Sequence, residues 1–281
     1  METENELAVN LDPIESDAKP KTNPAAHLSA EIQQALFEYT LRLGDDRLIL
    51  GHRLSEWCGH APILEEDIAL ANMALDLIGQ ASAFLELAGR IEGAGRSEDD
   101  LAYFRETVEF RNLLLVEQPR GDFAYTILRQ FFFAALSLHL FEPLEKSTLP
   151  ELAAVAAKSL KETRYHLRHS AEWVRRLGLG TEESRARLQA ALEDQWYFID
   201  ELFESDTVET LLANEKLIGL TASFKSSWEK LVLPLLKESG LTLPQGTPIA
   251  KGGRTGNHTE YLGRLLAEMQ IVARSHPGAK W

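Results

Sequence analysis

The sequence predicts an all-α fold, and three observations carry that prediction. After Ser29, apolar residues recur at the three- and four-residue spacing of one helix face. Strand-like alternation of β-branched residues is nearly absent. Glycine and proline fall mostly between the periodic stretches, which supplies starts and stops. The 281 residues, 44% of them hydrophobic, can bury a sizeable core.

A first helix is expected from an N-cap at Ser29 to about Cys58, stopped by Gly59. Pro62 marks the start of a second, which runs through Ile68, Leu75 and Ile78 to about Gly89. Its apolar residues go nearly all the way round, so it is expected to be buried. Gly93-Ala94-Gly95 is a linker, and a third helix spans about Ser97 to Val116, ahead of Pro119. Gly121-Asp122 introduces an apolar helix from Phe123 to about Phe141. Pro150 opens another, to Leu177, closed by Gly178 and Gly180.

Thr181 begins a helix reaching about Glu204. The next covers about Glu215 to Glu238, with Pro234 expected to kink or end it early. A loop rich in Gly, Thr and Pro, from Leu241 to Gly256, precedes a last helix from Thr259 to about Arg274. The pairs 29–58 with 62–89 and 123–141 with 150–177 are joined by a long connection holding its own helix. That is the arrangement of a ferritin-like four-helix bundle with additional helices, here one domain over residues 29–281. Residues 1–28, acidic and proline-containing, read as a mobile N-terminal tail and not as a secretory signal.

A formal net charge of −14 argues against nucleic acid as a partner, because phosphate binding needs clustered Lys and Arg. The single cysteine, Cys58, excludes an intrachain disulfide and fits a reducing cytoplasm. No stretch reaches the roughly 18 apolar residues of a membrane span, so a soluble, cytoplasmic protein with no membrane partner is expected.

A bundle of this kind can hold two metals when two helices each supply a Glu and two others each supply Glu-x-x-His. In the second helix Asn72, Asp76 and Gln80 form a polar line, and Asp76 could be the carboxylate of such a motif. Three residues on stands Gly79, which has no side chain to coordinate anything. Arg42, Arg47 and Arg53 are the expected partners of the buried polar line. Between Asp122 and Glu142 there is no carboxylate, only Arg129, Gln130, Ser137 and His139 amid apolar bulk.

The helix after Pro150 places Glu162, His166, His169 and Trp173 on one stripe, but Tyr165 occupies the position three after Glu162. A hydrogen-bonded polar seam is the preferred reading of that stripe. Asp45, His52 and Glu56, with Asp46 and Arg53 close by, read as ion-pair partners. No catalytic residue and no metal site are therefore expected; Asp76, Gly79, Glu162 and His166 are degenerate ligand positions. The competing reading is a helical oxidase with its own divergent metal site at Glu56, Asp76, Glu162, His166 and His169. A further one is an adaptor that keeps the fold only as an interaction surface.

Gly252-Gly253-x-x-Gly256 lacks a preceding strand and the Walker spacing, so it reads as a connector that lets two backbones approach, not as a phosphate cradle. Its composition makes Gly252, Gly253, Arg254 and His258 candidates for a contact between subunits. Cys58 is expected to be a buried structural thiol. Trp57, Trp173, Trp196, Trp228 and Trp281 are expected to be core or interface anchors.

Several segments carry a resemblance. They are Arg42-Leu43-Gly44-Asp45-Asp46 through Arg53-Leu54-Ser55-Glu56-Trp57-Cys58-Gly59-His60-Ala61-Pro62, Ala69 to Asn72 with Asp76 to Gln80, and Asn112 to Pro119. Lys161 to Arg168, Gly252 to Glu260 and Leu265 to Gln270 complete the set. Together, over about Phe37 to Trp281, they resemble the PaaC family, one of the components of the bacterial phenylacetyl-CoA 1,2-epoxidases, which are multicomponent monooxygenases. The resemblance implies a ligand-free relative of the di-iron catalytic component, with which it forms a heterodimer that assembles further. It implies that the catalytic component binds iron and the CoA thioester. A separate reductase would pass electrons from NADPH through FAD and iron–sulfur centres, with no cofactor in this chain.

Overall fold

The computed structural model of the chain describes residues 22–246 and 248–279. Among the described residues there are ten α-helices, five short 3-10 turns and no strand. The core is built by α1 (Ala30–Ser55), α2 (Leu64–Glu92), α5 (Phe123–Leu144) and α6 (Pro150–Leu179). α1 packs along α2, α5 along α6, and α2 meets α6 across the bundle. This is the expected ferritin-like four-helix bundle.

The ends of these helices follow from capping chemistry. The Ser29 hydroxyl accepts from the Ile32 N–H at the start of α1, and Asp122 accepts from Tyr125 N–H at the start of α5. Gly93 closes α2 in the left-handed conformation, at φ 70°. Pro150 stands in the first turn of α6, where its missing N–H leaves no bond unmade. Inside, Phe131, Phe132, Phe133 and Phe141 of α5 are buried, with Phe84 of α2 stacked on Phe141 at 5.9 Å. Each such burial contributes about 2–3 kcal/mol.

Around the core lie α3 (Glu98–Tyr103), α4 (Leu114–Glu117), α7 (Glu182–Gln195), α8 (Thr207–Asn214), α9 (Lys225–Glu238) and α10 (Glu260–Ser275). The single helix expected over 97–116 is instead broken. The N–H groups of Arg111 and Leu113 donate to Asp45 and Asp46 of α1, each at 2.8 Å, and Leu114 N–H donates to Glu201 at 2.7 Å. Carboxylates thus take the donors that a continuous helix would need.

The helix expected over 215–238 likewise begins only at Lys225. α8 ends with Lys216 in the left-handed region at φ 59°, and buried Glu209 accepts from both N–H and hydroxyl of Thr221. α9 then runs through Pro234 to Glu238. The helix expected from Thr181 to about Glu204 gives way after Gln195 to two 3-10 turns, which aim Glu201 inward.

Other expectations need correction. α2 is not buried all round: Leu64, Ile68 and Leu75 face outward. Cys58 is exposed, one turn beyond the end of α1, whereas its neighbour Trp57 is buried and donates to Thr126. The last residues assigned to the tail are held: Asn23 donates to Ile91 O at 3.0 Å, and Ala25 is fully buried. The rest of that tail, with Trp281, lies outside the described residues. By length and apolarity alone α2 and α5 would suffice to cross a membrane; in the bundle most of the apolar window of α5 and half that of α2 are buried.

Candidate functional site

The place to look for chemistry in this fold is the space between the four core helices. Arg47 of α1 fills it. Its side chain is 1% exposed, and the guanidinium carbon lies 4.5 Å from the ring centre of Phe141, 5.3 Å from Phe84 and 5.5 Å from Phe133. Its Nε donates to Gln80 Oε1 of α2 at 3.2 Å, its Nη1 to Leu43 O at 2.9 Å, and its Nη2 to Ser137 Oγ of α5 at 3.5 Å. The Gln80 amide in turn donates to Glu162 of α6 at 2.8 Å. All four core helices thus contribute to one network around a fixed cation. Burial pulls the guanidinium pKa down to about 10, which still leaves it charged at neutral pH.

From this centre a seam runs outward between antiparallel α2 and α6. His166 Nε2 lies 3.0 Å from Asp76 Oδ2, and His169 Nε2 lies 2.9 Å from Glu66 Oε2. His166 is buried, while the Asp76 side chain is 36% exposed. Burial pulls the His169 pKa down, opposed by the Glu66 carboxylate. The sequence set Asp76 and Gln80 on a polar line of the second helix and Glu162, His166 and His169 on a separate stripe of the helix after Pro150, and the structure joins the two; Glu66 was missed. Arg47 proves to be the partner of Gln80, whereas Arg42 pairs with Glu38 and Asp206. Arg53 turns to Glu56, to Glu117 O and to Tyr261 O.

The residues do not fit a di-iron centre. Asp76 is followed at the ligand spacing by Gly79, whose missing Cβ would meet nothing within 4 Å. Glu162 is followed by Tyr165, and α5 offers no carboxylate toward the interior. The Arg47 guanidinium occupies the interior and repels a cation placed beside it. Among the described residues no group of three or more His, Cys, Asp and Glu is arranged to hold a metal ion.

A second polar cluster lies where the 252–259 loop meets α1 and the 104–117 segment. Arg254 makes a two-pronged pair with Asp46, at 3.0 and 2.8 Å, and Arg105 pairs with buried Asp45. Glu117, fully buried, accepts from His258 Nδ1 at 2.7 Å, Thr259 N–H at 2.6 Å and Asn112 Nδ2 at 2.9 Å. The other His258 nitrogen donates to Phe110 O at 2.9 Å, a carbonyl that can only accept. Burial lowers the His258 pKa, but the Glu117 bond and charge outweigh it and hold it above the usual value.

Glu201 accepts from the N–H groups of Gly252 (3.1 Å), Gly253 (2.9 Å) and Leu114, yet burial pushes its pKa up to about 7. The glycines do let two backbones approach. A Cβ on Gly253 would lie 2.1 Å from Asn112 O, and one on Gly256, at φ 82°, would lie 2.3 Å from Val108 O. Gly252, Gly253, Arg254 and His258, expected at a contact between subunits, make these contacts within the chain and clamp the loop to α1 and the 104–117 segment. Asp45 and Asp46 were expected in ion pairs, though not with Arg105 and Arg254; Glu117 and Glu201 were not foreseen, and the signal available for Glu117 was an acid closing the apolar run Leu113 to Val116.

A family model described as phenylacetic acid catabolic protein matches residues 7–281. Among curated proteins the chain is similar to the C subunit of the 1,2-phenylacetyl-CoA epoxidase of Escherichia coli (strain K12). The two are 48% identical over 246 residues, which cover 88% of this chain and 99% of that protein. The segments that carried the resemblance, 42–62 and 161–168 among them, are those that build the Arg47 network, the seam and the clamp. On the extent of these matches, the chain belongs to the phenylacetic acid catabolic protein family.

Proposed function

We propose that this chain is a non-catalytic structural subunit of a phenylacetyl-CoA epoxidase, a monooxygenase complex of aerobic phenylacetate catabolism. In that role it pairs with and supports the homologous di-iron catalytic component in the cytoplasm. The observation that carries the reading is the Arg47 guanidinium, held in the bundle interior by Gln80 and Ser137 and enclosed by three phenylalanine rings. A bundle closed in this way keeps the shape of a catalytic relative and offers its own interior no room for oxygen chemistry. The similar protein from Escherichia coli is named as a subunit, which supports a multisubunit setting. On this reading iron belongs to the partner, and FAD, iron–sulfur centres and NADPH belong to a separate reductase.

The test is co-expression with the catalytic partner, followed by iron content and phenylacetyl-CoA turnover with the reductase present. The complex is expected to turn over, with iron found only in the catalytic partner. Stoichiometric iron and oxygen consumption by this chain on its own would overturn the proposal.

A further inference from the structure

The outer face of α2 carries an apolar ridge that nothing in the described chain covers. Leu64, Ile68 and Leu75 are 73%, 54% and 67% exposed, and with the small residues Gly79 and Ser82 they follow one helical stripe, interrupted by Asn72. Beside the ridge runs the outer face of α6, antiparallel to it, with Lys158, Lys161, Tyr165, Arg168 and Arg176 exposed and only Glu172 among them acidic. In a chain of net charge −14 this is a local reversal of sign. Lys158, Lys161 and Arg168 have no carboxylate partner among the described residues.

Gly79 adds an independent argument. A mid-helix glycine is less favourable than alanine by about 1 kcal/mol, and is usually kept for a turn or a close approach. Gly79 has helical backbone, and a Cβ there would meet no atom of the described residues within 4 Å beyond its own turn of helix. Its intrachain surroundings give no reason for the missing side chain. A neighbouring backbone from outside the chain would.

We infer that the α2–α6 outer face docks a helix of a partner protein. That helix crosses close over Gly79, packs apolar side chains on Leu64, Ile68 and Leu75, and sets acidic side chains against Lys158, Lys161 and Arg168. A second copy of this chain, pairing through the same face, would set the row of Lys158, Lys161 and Arg168 against a like row. The inference rests on the proposed role within a complex, and deepens it by locating the contact.

The test measures binding of the purified full chain to the recombinant di-iron catalytic partner by calorimetry. L75E is expected to weaken the complex by at least ~100-fold. K158E/K161E is expected to weaken it by ~10-fold and to flatten its salt dependence. The decisive variant is G79L. It favours the helix, and its Cβ points into open space among the described residues, so the isolated chain should melt at a higher temperature while the complex is lost. A merely structural Gly79 would give the first change without the second.

V272E, on the exposed side of α10, is the control and keeps full affinity. Deletion of residues 1–21 should leave affinity unchanged. A large gain would place that acidic segment on the ridge and overturn the inference. So would a dimer of this chain alone that L75E dissolves, or wild-type binding by both L75E and G79L. Failure of the wild-type chain to bind the catalytic partner would instead overturn the proposed function, which separates the two.

Discussion

Arg47 donates from Nε to the amide oxygen of Gln80 at 3.2 Å, and through that amide α1 is tied to Glu162 of α6. The bond matters because a buried guanidinium is unfavourable unless its surroundings compensate for lost water. Here three aromatic faces and three acceptors on α1, α2 and α5 provide the compensation. R47A should therefore lower unfolding stability by about 3–5 kcal/mol, from the cavity between the rings and the stranded Gln80 amide. R47M, which keeps most of the volume, should lose less than half of that. Urea denaturation of both variants checks the order; equal losses would mean that charge, not packing, holds the interior.

Asp76 and His166 separate a structural seam from a chemical one. The Asp76 side chain is partly exposed and the imidazole is buried, so the two partners should respond unequally. D76A should cost ~1 kcal/mol or less, as an exposed pair does. H166A should cost about 2–4 kcal/mol, as a buried ring does. Turnover per assembled complex should be unchanged in both. A loss of turnover with intact assembly and iron content would assign this pair to the chemistry.

These residues also show what a sequence can and cannot disclose. The two halves of the seam were legible because Asp76 and Gln80 share a face of one long helix and Glu162, His166 and His169 a face of another, whereas the pairing of those faces is a tertiary fact that periodicity does not carry. The four core helices were legible for the same reason, together with Ser29, Gly93 and Pro150 at their ends. The 104–117 and 215–224 segments were not. Their helical pattern is overridden by Asp45, Asp46, Glu201 and Glu209, which take backbone N–H groups from far along the chain. Local propensity contains no record of such distant acceptors. Glycine spacing did disclose that two backbones meet at 252–256, and left open that both belong to this chain.

The clamp should respond to pH. His258 has its folded pKa raised by Glu117, so its contribution is full below the unfolded value of about 6.5 and is lost as pH rises through the folded one. Glu201 is raised from 4.5 to about 7, so the folded state also binds its proton more tightly, and that contribution fades between those values. Both groups have the same sign. The clamp's contribution to stability should fall as pH rises from about 5 through about 7, read as the difference between wild type and the clamp variants, and amide exchange at 252–259 should quicken. H258Q should flatten the upper part of the curve and E201Q the lower part. Stability that rises across this range in wild type, and is unaffected by either change, would contradict the assignment.

Gly253 and Gly79 make a closing contrast, since alanine at each tests one surrounding against the other. At Gly253 the added methyl would lie 2.1 Å from Asn112 O, a backbone atom held by α1 and α4, and no side-chain rotation can relieve it. The loop must then lift away, which breaks the Glu201 bonds to Gly252 and Gly253 and loosens Arg254 from Asp46. A loss of about 2–4 kcal/mol is expected for G253A. At Gly79 the same methyl meets open space on the exposed face of α2, so G79A should stabilise the isolated chain by about 0.5–1 kcal/mol. Thermal unfolding of the two variants side by side measures both signs. A stable G253A would mean that the two backbones are not in the contact that the 252–256 glycines permit.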